Sequence, residues 1–372
     1  MRPAPAVLLA AAALAVASCV PPTPVSRQVV LSGLDRPWDI AFAPDATMLF
    51  TERVGRVSAW DGSGAPTVML NAPADLLPGS EGGMLGLAVD PSFSSNRFIY
   101  TCYTSSAPGG SGDVRVVRWT VNGAYTAIGS PTPIVTGMPR TSGRHSGCRP
   151  RFKPGTNHLY IATGDAAKGS TPQDITSLGG KVLRVNRNGT APGSNPFVGR
   201  PGDDRIYTFG HRNVQGLAFR GSGNKPYSVE HGTGCDDEIN KLYKGANYGW
   251  DPWVPGGGYD ESVPMTDLAK FPNAVAASWS SGCPTVAPSG ATFVDGAQWG
   301  TWERKLAVGM LKQSRLRFFD FSNGGRTAVG VGKRFNELGL RLRSVVQGPD
   351  GHLYVATDEV GAAGQIWRVT PG

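Results

Sequence analysis

Residues 343–358 read RSVVQGPDGHLYVATD: a short run of β-formers, the turn Gly-Pro-Asp-Gly, and a second run that ends on an acid. Pro presets φ and Gly tolerates positive φ, so the middle is turn chemistry, and the alternation in LYVAT fits a half-buried strand. The same unit recurs five more times. It reads WDIAFAPDATMLFTER from Trp38, LGLAVDPSFSSNRFIYTCYT from Leu85 and RPRFKPGTNHLYIATGD from Arg149. It returns as QGLAFRGSGNKPYSVEHG from Gln215 and SGATFVDGAQWGTWERKLAVGML from Ser289. A third strand candidate follows each copy: GRVSAW, VRVVRWTV, GKVLRVN, DEINKLY, SRLRFFDF and GQIWRVTP. Six such units at a spacing of roughly 50–75 residues predict an all-β fold, a six-bladed β-propeller. The early apolar segment Gln28-Val29-Val30-Leu31 is the expected N-terminal strand that closes the ring on the last unit. A sandwich accounts for the turns but not for the sixfold recurrence.

Composition agrees. The chain has 372 residues, 40% hydrophobic and 17% charged, with 51 Gly and 30 Pro. So much Gly and Pro without a collagen period disfavours long helices, and the apolar fraction disfavours disorder. The net charge of +8 raises a nucleic-acid reading, but the basic residues are scattered among loops without aromatic partners, so an acidic ligand is the better expectation.

The first 19 residues are expected to be a secretory signal: Arg2 precedes an apolar run from Ala6 to Ala17, too short to span a bilayer. Val16-Ala17-Ser18-Cys19 resembles a bacterial lipobox, which makes Cys19 the expected lipidation site and the outer face of the cell-envelope membrane the expected location. Residues 20–27, beginning VPPTP, read as a tether, and 28–372 as the propeller domain. Cys102, Cys148, Cys235 and Cys283 then remain, an even number that suggests two disulfides in an exported chain. Three pairings are possible. Cys102–Cys148 with Cys235–Cys283 is favoured because each bond links neighbouring units.

A propeller does not specify a function, but it says where to look: at the loops of one channel mouth, where residues just after the second strand of each unit should cluster. Four segments stand out by polar content. They are Arg144-His145-Ser146-Gly147-Cys148-Arg149; Gly210-His211-Arg212-Asn213-Val214-Gln215-Gly216; the run from Glu230 to Asn240 with Asn247-Tyr248-Gly249-Trp250; and Leu311-Lys312-Gln313 with Arg341-Leu342-Arg343.

In order and spacing, GHRNVQGLAF, DDEIN with ANYGW, GGKVLRVNRNGTAPGSNPF and RLRSVVQGPDGHLYVATD resemble the soluble quinoprotein aldose (glucose/sorbosone-type) sugar dehydrogenases. That family consists of six-bladed propellers that bind pyrroloquinoline quinone (PQQ) and calcium, and the resemblance runs from about Leu31 to the C-terminus. It implies oxidation of the C1 hydroxyl of an aldose to a lactone, with PQQ as hydride acceptor, Ca2+ as Lewis acid, and an onward electron acceptor that the sequence does not name. By that resemblance, Arg212, Asn213, Lys312, Arg341 and Arg343 bind the tricarboxylate cofactor, for which guanidinium forks are suited. His145 matches the base, a role that suits a neutral imidazole, and Asp165 the acid that orients it. The carbonyls of Gly232 and Thr233 match holders of the cofactor calcium, while Glu238 and the Tyr248 carbonyl resemble a second, structural calcium site.

Two departures matter. Glu81 stands beside the quinone position where relatives commonly have Gln, and its charge opposes an anionic cofactor unless calcium or an Arg offsets it. Cys148 replaces a small residue after His145. The competing function is a non-catalytic propeller that binds a glycan or protein at the same mouth; Glu81 favours it, whereas His145 with Arg212-Asn213 and Arg341/Arg343 favours the enzyme. A calcium-dependent hydrolytic propeller needs several converging acidic side chains, a set the sequence does not offer. Loops 105–113, 166–175 and 251–285 are expected to shape the sugar pocket.

Overall fold

The computed structural model describes residues 21–106 and 112–372. The expected signal and Cys19 lie outside the described residues. Six four-stranded antiparallel sheets follow one another along the chain. Their innermost strands are Pro37–Phe42, Met84–Val89, Gly147–Phe152, Val214–Arg220, Pro288–Phe293 and Leu342–Gln347. Each innermost strand neighbours the next, and the last neighbours the first, so the sheets are blades around one central axis. Blades 1 to 6 are numbered in that order.

Closure is as the sequence suggests. Val25–Leu34 pairs antiparallel with Gly364–Pro371 and becomes the outer strand of blade 6. It starts earlier than the expected Gln28, because Val25 and Ser26 already pair with Pro371 and Thr370. The tether is shortened further at Thr23, whose carbonyl accepts from Trp302 Nε1 at 2.7 Å and whose amide donates to Thr301 Oγ1 at 2.9 Å. All six third-strand candidates form third strands, from Val57–Trp60 to Gly364–Pro371.

One expectation needs correction. LYIAT and LYVAT are not half-buried: every residue of Leu159–Thr163 and Leu353–Thr357 is buried. Propeller sheets pack face to face around the ring, so the second strand of a blade is covered on both sides. Leu159, Ile161 and Leu183 of blade 3, for example, pack with Tyr100, Cys102 and Val116 of blade 2. Near the axis the inner strands come so close that some positions admit only glycine. A Cβ on Gly86 would lie 2.3 Å from the Cys148 carbonyl oxygen, and one on Gly216 equally close to that of Ser289.

The favoured disulfides form, Cys102–Cys148 and Cys235–Cys283. The first joins blades 2 and 3 directly behind His145. The second ties the turn after the second strand of blade 4 to the segment leading into blade 5.

The axis also carries buried charge. Asp39 is wholly buried and accepts from Arg149 Nη1 at 2.5 Å, from Arg151 at 2.7 Å and from Ser344 Oγ at 2.9 Å. Arg149 Nε donates to the Gln215 carbonyl at 2.6 Å, and its guanidinium lies over Trp38. Blades 1, 3, 4 and 6 therefore meet in one ion cluster.

Candidate active site

A cleft opens at one end of the axis, lined among others by Arg53, Glu81, His231, Leu311, Arg343 and Asp358. Arg53, His231, Leu311 and Asp358 each follow the second strand of blades 1, 4, 5 and 6. The repeat position expected to gather at the mouth does gather there.

Asp165, which follows the second strand of blade 3, is fully buried and receives four donors. His145 Nδ1 and the Ala167 amide meet Oδ1 at 2.8 Å, while Trp250 Nε1 at 2.8 Å and the Tyr259 hydroxyl at 2.7 Å meet Oδ2. A carboxylate accepting at Nδ1 assigns the proton to that nitrogen and leaves the Nε2 lone pair free to take a proton. His145 has φ +53°, a left-handed conformation, and the following Gly147 has no room for a Cβ, which would lie 2.4 Å from the Gly164 amide. The turn is thereby pressed onto the segment that carries Asp165.

The expected cofactor-binding residues divide into two groups. Arg343 donates to Asp358 Oδ2 at 2.8 Å and to Gln215 Oε1 at 3.0 Å, and Arg341 reaches the same Asp358 oxygen at 3.3 Å. Burial pushes the Asp358 carboxyl up, yet Arg343, Arg341 and Arg53 hold it below the usual carboxylate range. Asn213 Nδ2 donates to Glu81 Oε2 at 3.0 Å, while its Oδ1 accepts from Gln215 and the Gly147 amide. Arg212 is buried and donates to Glu261 Oε1 at 2.6 Å and to the His231 carbonyl at 3.2 Å. Lys312 differs in being exposed, with its amine bonded to Thr285 Oγ1 at 3.1 Å; like Arg212 and Asn213 it stands beside, not in, the lining of the cleft.

These contacts leave unmet donors. Arg343 Nε and Arg212 Nε are buried donors without a partner among the described residues, and His231 Nε2 and Asp358 Oδ1 are buried acceptors without one. Burial and the charge of Arg36 depress the Arg53 guanidinium, opposed by Asp358 and Glu81. Burial and the nearby Arg343 and Arg212 lower His231 to about 3, so its imidazole is neutral. A cleft crowded with cations and unsatisfied donors fits a polyanionic planar ligand such as PQQ. The Glu81 carboxylate is bonded to Asn213 and lies within electrostatic reach of Arg53, without an ion pair to any Arg among the described residues.

The donors expected for calcium are also placed. Gly232 lies in a tight turn, where a Cβ would stand 2.0 Å from the Cys235 oxygen and 2.6 Å from that of Asp236. Asp237 fixes the turn, accepting from the Gly232 amide at 2.9 Å and from the Ala287 amide at 2.8 Å. Carbonyl oxygens presented by such a turn, next to Thr233, suit a hard cation that completes its shell with ligand oxygens. Glu238 is buried, accepts from Asn240 and Thr266, and is raised by burial and by the neighbouring Glu230. A cation would relieve that pair. The Tyr248 side chain serves the fold, donating its hydroxyl to the Lys241 carbonyl at 2.6 Å and stacking on His211. Among the described residues, no three His, Cys, Asp or Glu side chains converge as a metal centre.

Sequence reading missed Tyr259, Glu261, His231, Arg53 and Asp358 as site residues. The first two belong to the 251–285 loop flagged as variable, where a small hairpin pairs Trp253 with Tyr259. Glu261 bonds both Arg144 and Arg212, bridging the two sides of the mouth.

Comparison with known proteins agrees with this geometry. The sequence profile of the Glucose / Sorbosone dehydrogenase family matches residues 34–368. The chain is 31% identical to the aldose sugar dehydrogenase YliI of Escherichia coli K12, over 94% of each chain. Its fold superposes on the crystal structure of the soluble aldose sugar dehydrogenase of Escherichia coli in the apo form, with TM-score 0.83, 29% identity, and coverage of 94% of this chain and 100% of that one. The PQQ-bound form of the aldose sugar dehydrogenase of Streptomyces coelicolor matches with TM-score 0.73 and 28% identity, over 94% of this chain and 99% of that one.

Proposed function

The chain belongs to the glucose/sorbosone dehydrogenase family, and from that premise we propose that it oxidises the C1 hydroxyl of aldose sugars to lactones with PQQ and Ca2+. One observation carries the reading: an oriented His145–Asp165 pair stands beside a cationic cleft in which the buried Arg343 Nε has no partner among the described residues. When bound, PQQ supplies the two-electron acceptor, and calcium shares its charge and polarises it. Arg343, Arg341, Arg212 and Asn213 would hold the cofactor, with Arg53 adding charge behind Glu81. Gly232 and Thr233 would offer carbonyls to the calcium, and Glu238 with the Tyr248 carbonyl would serve a second ion. Lys312 donates one proton to Thr285 Oγ1 and would offer the others to the cofactor. His145 accepts the C1 hydroxyl proton at Nε2, and Asp165, held by Trp250 and Tyr259, keeps the imidazole in the tautomer that can do so. Arg144 and Glu261 at the mouth would face the sugar.

The same proposal puts the enzyme outside the cytoplasmic membrane, lipid-anchored through Cys19, with a separate electron acceptor. Two disulfides suit an oxidising compartment. No described helix is long and apolar enough to cross a membrane.

The test is reconstitution. PQQ and Ca2+ are added to the purified protein, and dye reduction is followed with a panel of aldoses. Sugar-dependent reduction is expected. Absence of both reduction and PQQ binding overturns the enzyme reading, and glycan binding without turnover supports the non-catalytic alternative.

Glu81 gives a sharper measurement. Glu81→Gln keeps an oxygen for Asn213 Nδ2 but removes a negative charge from the cleft. PQQ binding is expected to tighten roughly tenfold, about the effect of one such charge in a half-exposed site. Equilibrium dialysis reads it; equal or weaker binding would mean that Arg53 already neutralises Glu81.

A further inference from the structure

Lys181, in the GGKVLRVN segment, plays no part in the cleft, yet it is wholly buried at the start of the third strand of blade 3. Burying an ammonium is costly unless each proton finds an acceptor. Lys181 Nζ finds three backbone carbonyls: Thr171 at 2.7 Å, Pro172 at 3.0 Å and Gly179 at 2.6 Å. All three lie in the excursion 164–180, which leaves blade 3 after Leu159–Thr163 and returns at Lys181.

That excursion opens on Gly164 and Asp165. Its middle is tied back to Asp165, since Thr171 Oγ1 donates to the Asp165 carbonyl at 2.7 Å and the Lys168 amide donates to it at 3.1 Å. It also braces a second partner of the carboxylate: Gln173 Nε2 donates to the carbonyl of Trp250, whose indole holds Asp165 Oδ2. Pro172 O further accepts from the Gly210 amide, at the head of the segment that carries Arg212. The ammonium is therefore the hub on which the backbone behind the His145–Asp165 pair is gathered. Burial pushes the amine down to about 7 against the pull of Asp174 and Asp165, whereas three accepting carbonyls match the three protons of its charged form.

We infer that Lys181 is a positioning residue for the proposed oxidation, a built-in cation that folds the 164–180 excursion and so fixes the carboxylate that orients His145. The inference rests on the reading of His145 as base, and its test has an arm that does not need turnover. In the apo-protein, the His145 Nδ1 proton bonded to Asp165 is followed as a low-field proton NMR signal, assigned by its absence in His145→Ala. Lys181→Met is expected to abolish or shift that signal. In the PQQ- and Ca2+-loaded enzyme it is expected to lower kcat about 100-fold with KM and PQQ affinity within about twofold, the cost of a misplaced catalytic group.

Lys181→Ala supplies the second arm. It leaves a cation-sized gap among three carbonyls, so methylammonium, and not sodium at equal ionic strength, should restore the signal. If this variant folds poorly, methylammonium should raise its Tm in the same selective way. A Lys181→Met protein with an unchanged signal and kcat, or a Lys181→Ala protein indifferent to methylammonium, overturns the inference. A wild-type protein that shows the signal but oxidises no sugar defeats the dehydrogenase reading instead.

Discussion

Asp165→Asn is expected to lower kcat for aldose oxidation by about 10²–10⁴-fold while leaving PQQ affinity within a few-fold of wild type. The carboxylate accepts two hydrogen bonds on each oxygen, from His145 and Ala167 on one and from Trp250 and Tyr259 on the other. An amide has only one acceptor oxygen, so its NH2 must face two donors whichever way it turns. If the NH2 faces His145, the imidazole can keep the bond only by moving its proton to Nε2, where the sugar proton must go. If the NH2 faces Tyr259 and Trp250, two buried donors lose their acceptor and the ring of contacts around the pair loosens. Steady-state kinetics with dye reduction measures the split between kcat and KM. The double variant with His145→Ala should be no slower than His145→Ala alone, because Asp165 acts through the histidine. An Asp165→Asn enzyme within threefold of wild type, or strictly additive losses in the double variant, would remove Asp165 from the proposed mechanism.

The way this pair emerged shows what the sequence could reveal. The family resemblance named His145 and Asp165, and the repeat pointed to the residues after the second strands, which line the cleft as Arg53, His231, Leu311 and Asp358. Period-two runs and turn residues are local signals, so the strands of the repeated unit were legible. The outer strands were not: Thr67–Leu70 and Thr327–Arg334 are largely exposed, and their composition carries no burial pattern to detect. Tyr259 and Glu261 were invisible for another reason. They reach the site from a loop with no repeat equivalent, and their partners are Asp165, 94 residues away, and Arg212, 49 residues away. Lys312, named by a motif match, is exposed and donates to Thr285 Oγ1, a local contact that the motif does not announce. Arg149, read as part of the His145 segment, proves to be an axial residue bonded to Asp39.

That axial cluster yields the largest expected effect on stability. Asp39→Asn should destabilise the fold by about 3–5 kcal/mol, the usual cost of leaving a buried ion unpaired. The substitution nearly preserves shape, and Asn can still accept from the Leu87 amide, so the change isolates charge. What it leaves behind is Arg149, wholly buried and already pushed down to about 9 by burial, together with Arg151. Among the described residues, neither guanidinium has another carboxylate partner. Burial pushes the Asp39 carboxyl up, but Arg149 and Arg151 outweigh it and the pKa is lowered. The sign for pH follows. A depressed folded pKa contributes stability that is present above the unfolded value near 3.8 and is lost as the pH falls through the folded pKa. Wild type should therefore lose stability more steeply than Asp39→Asn as the medium is acidified below that value. Urea unfolding at neutral pH and at acid pH measures both effects. Arg149→Met combined with Asp39→Asn should cost less than the sum of the single changes, because the double variant removes charge on both sides of the pair. Additive losses, or an Asp39→Asn protein within about 1 kcal/mol of wild type, would mean that water or a relaxed backbone compensates the guanidinium and that the blades are not joined electrostatically at the axis.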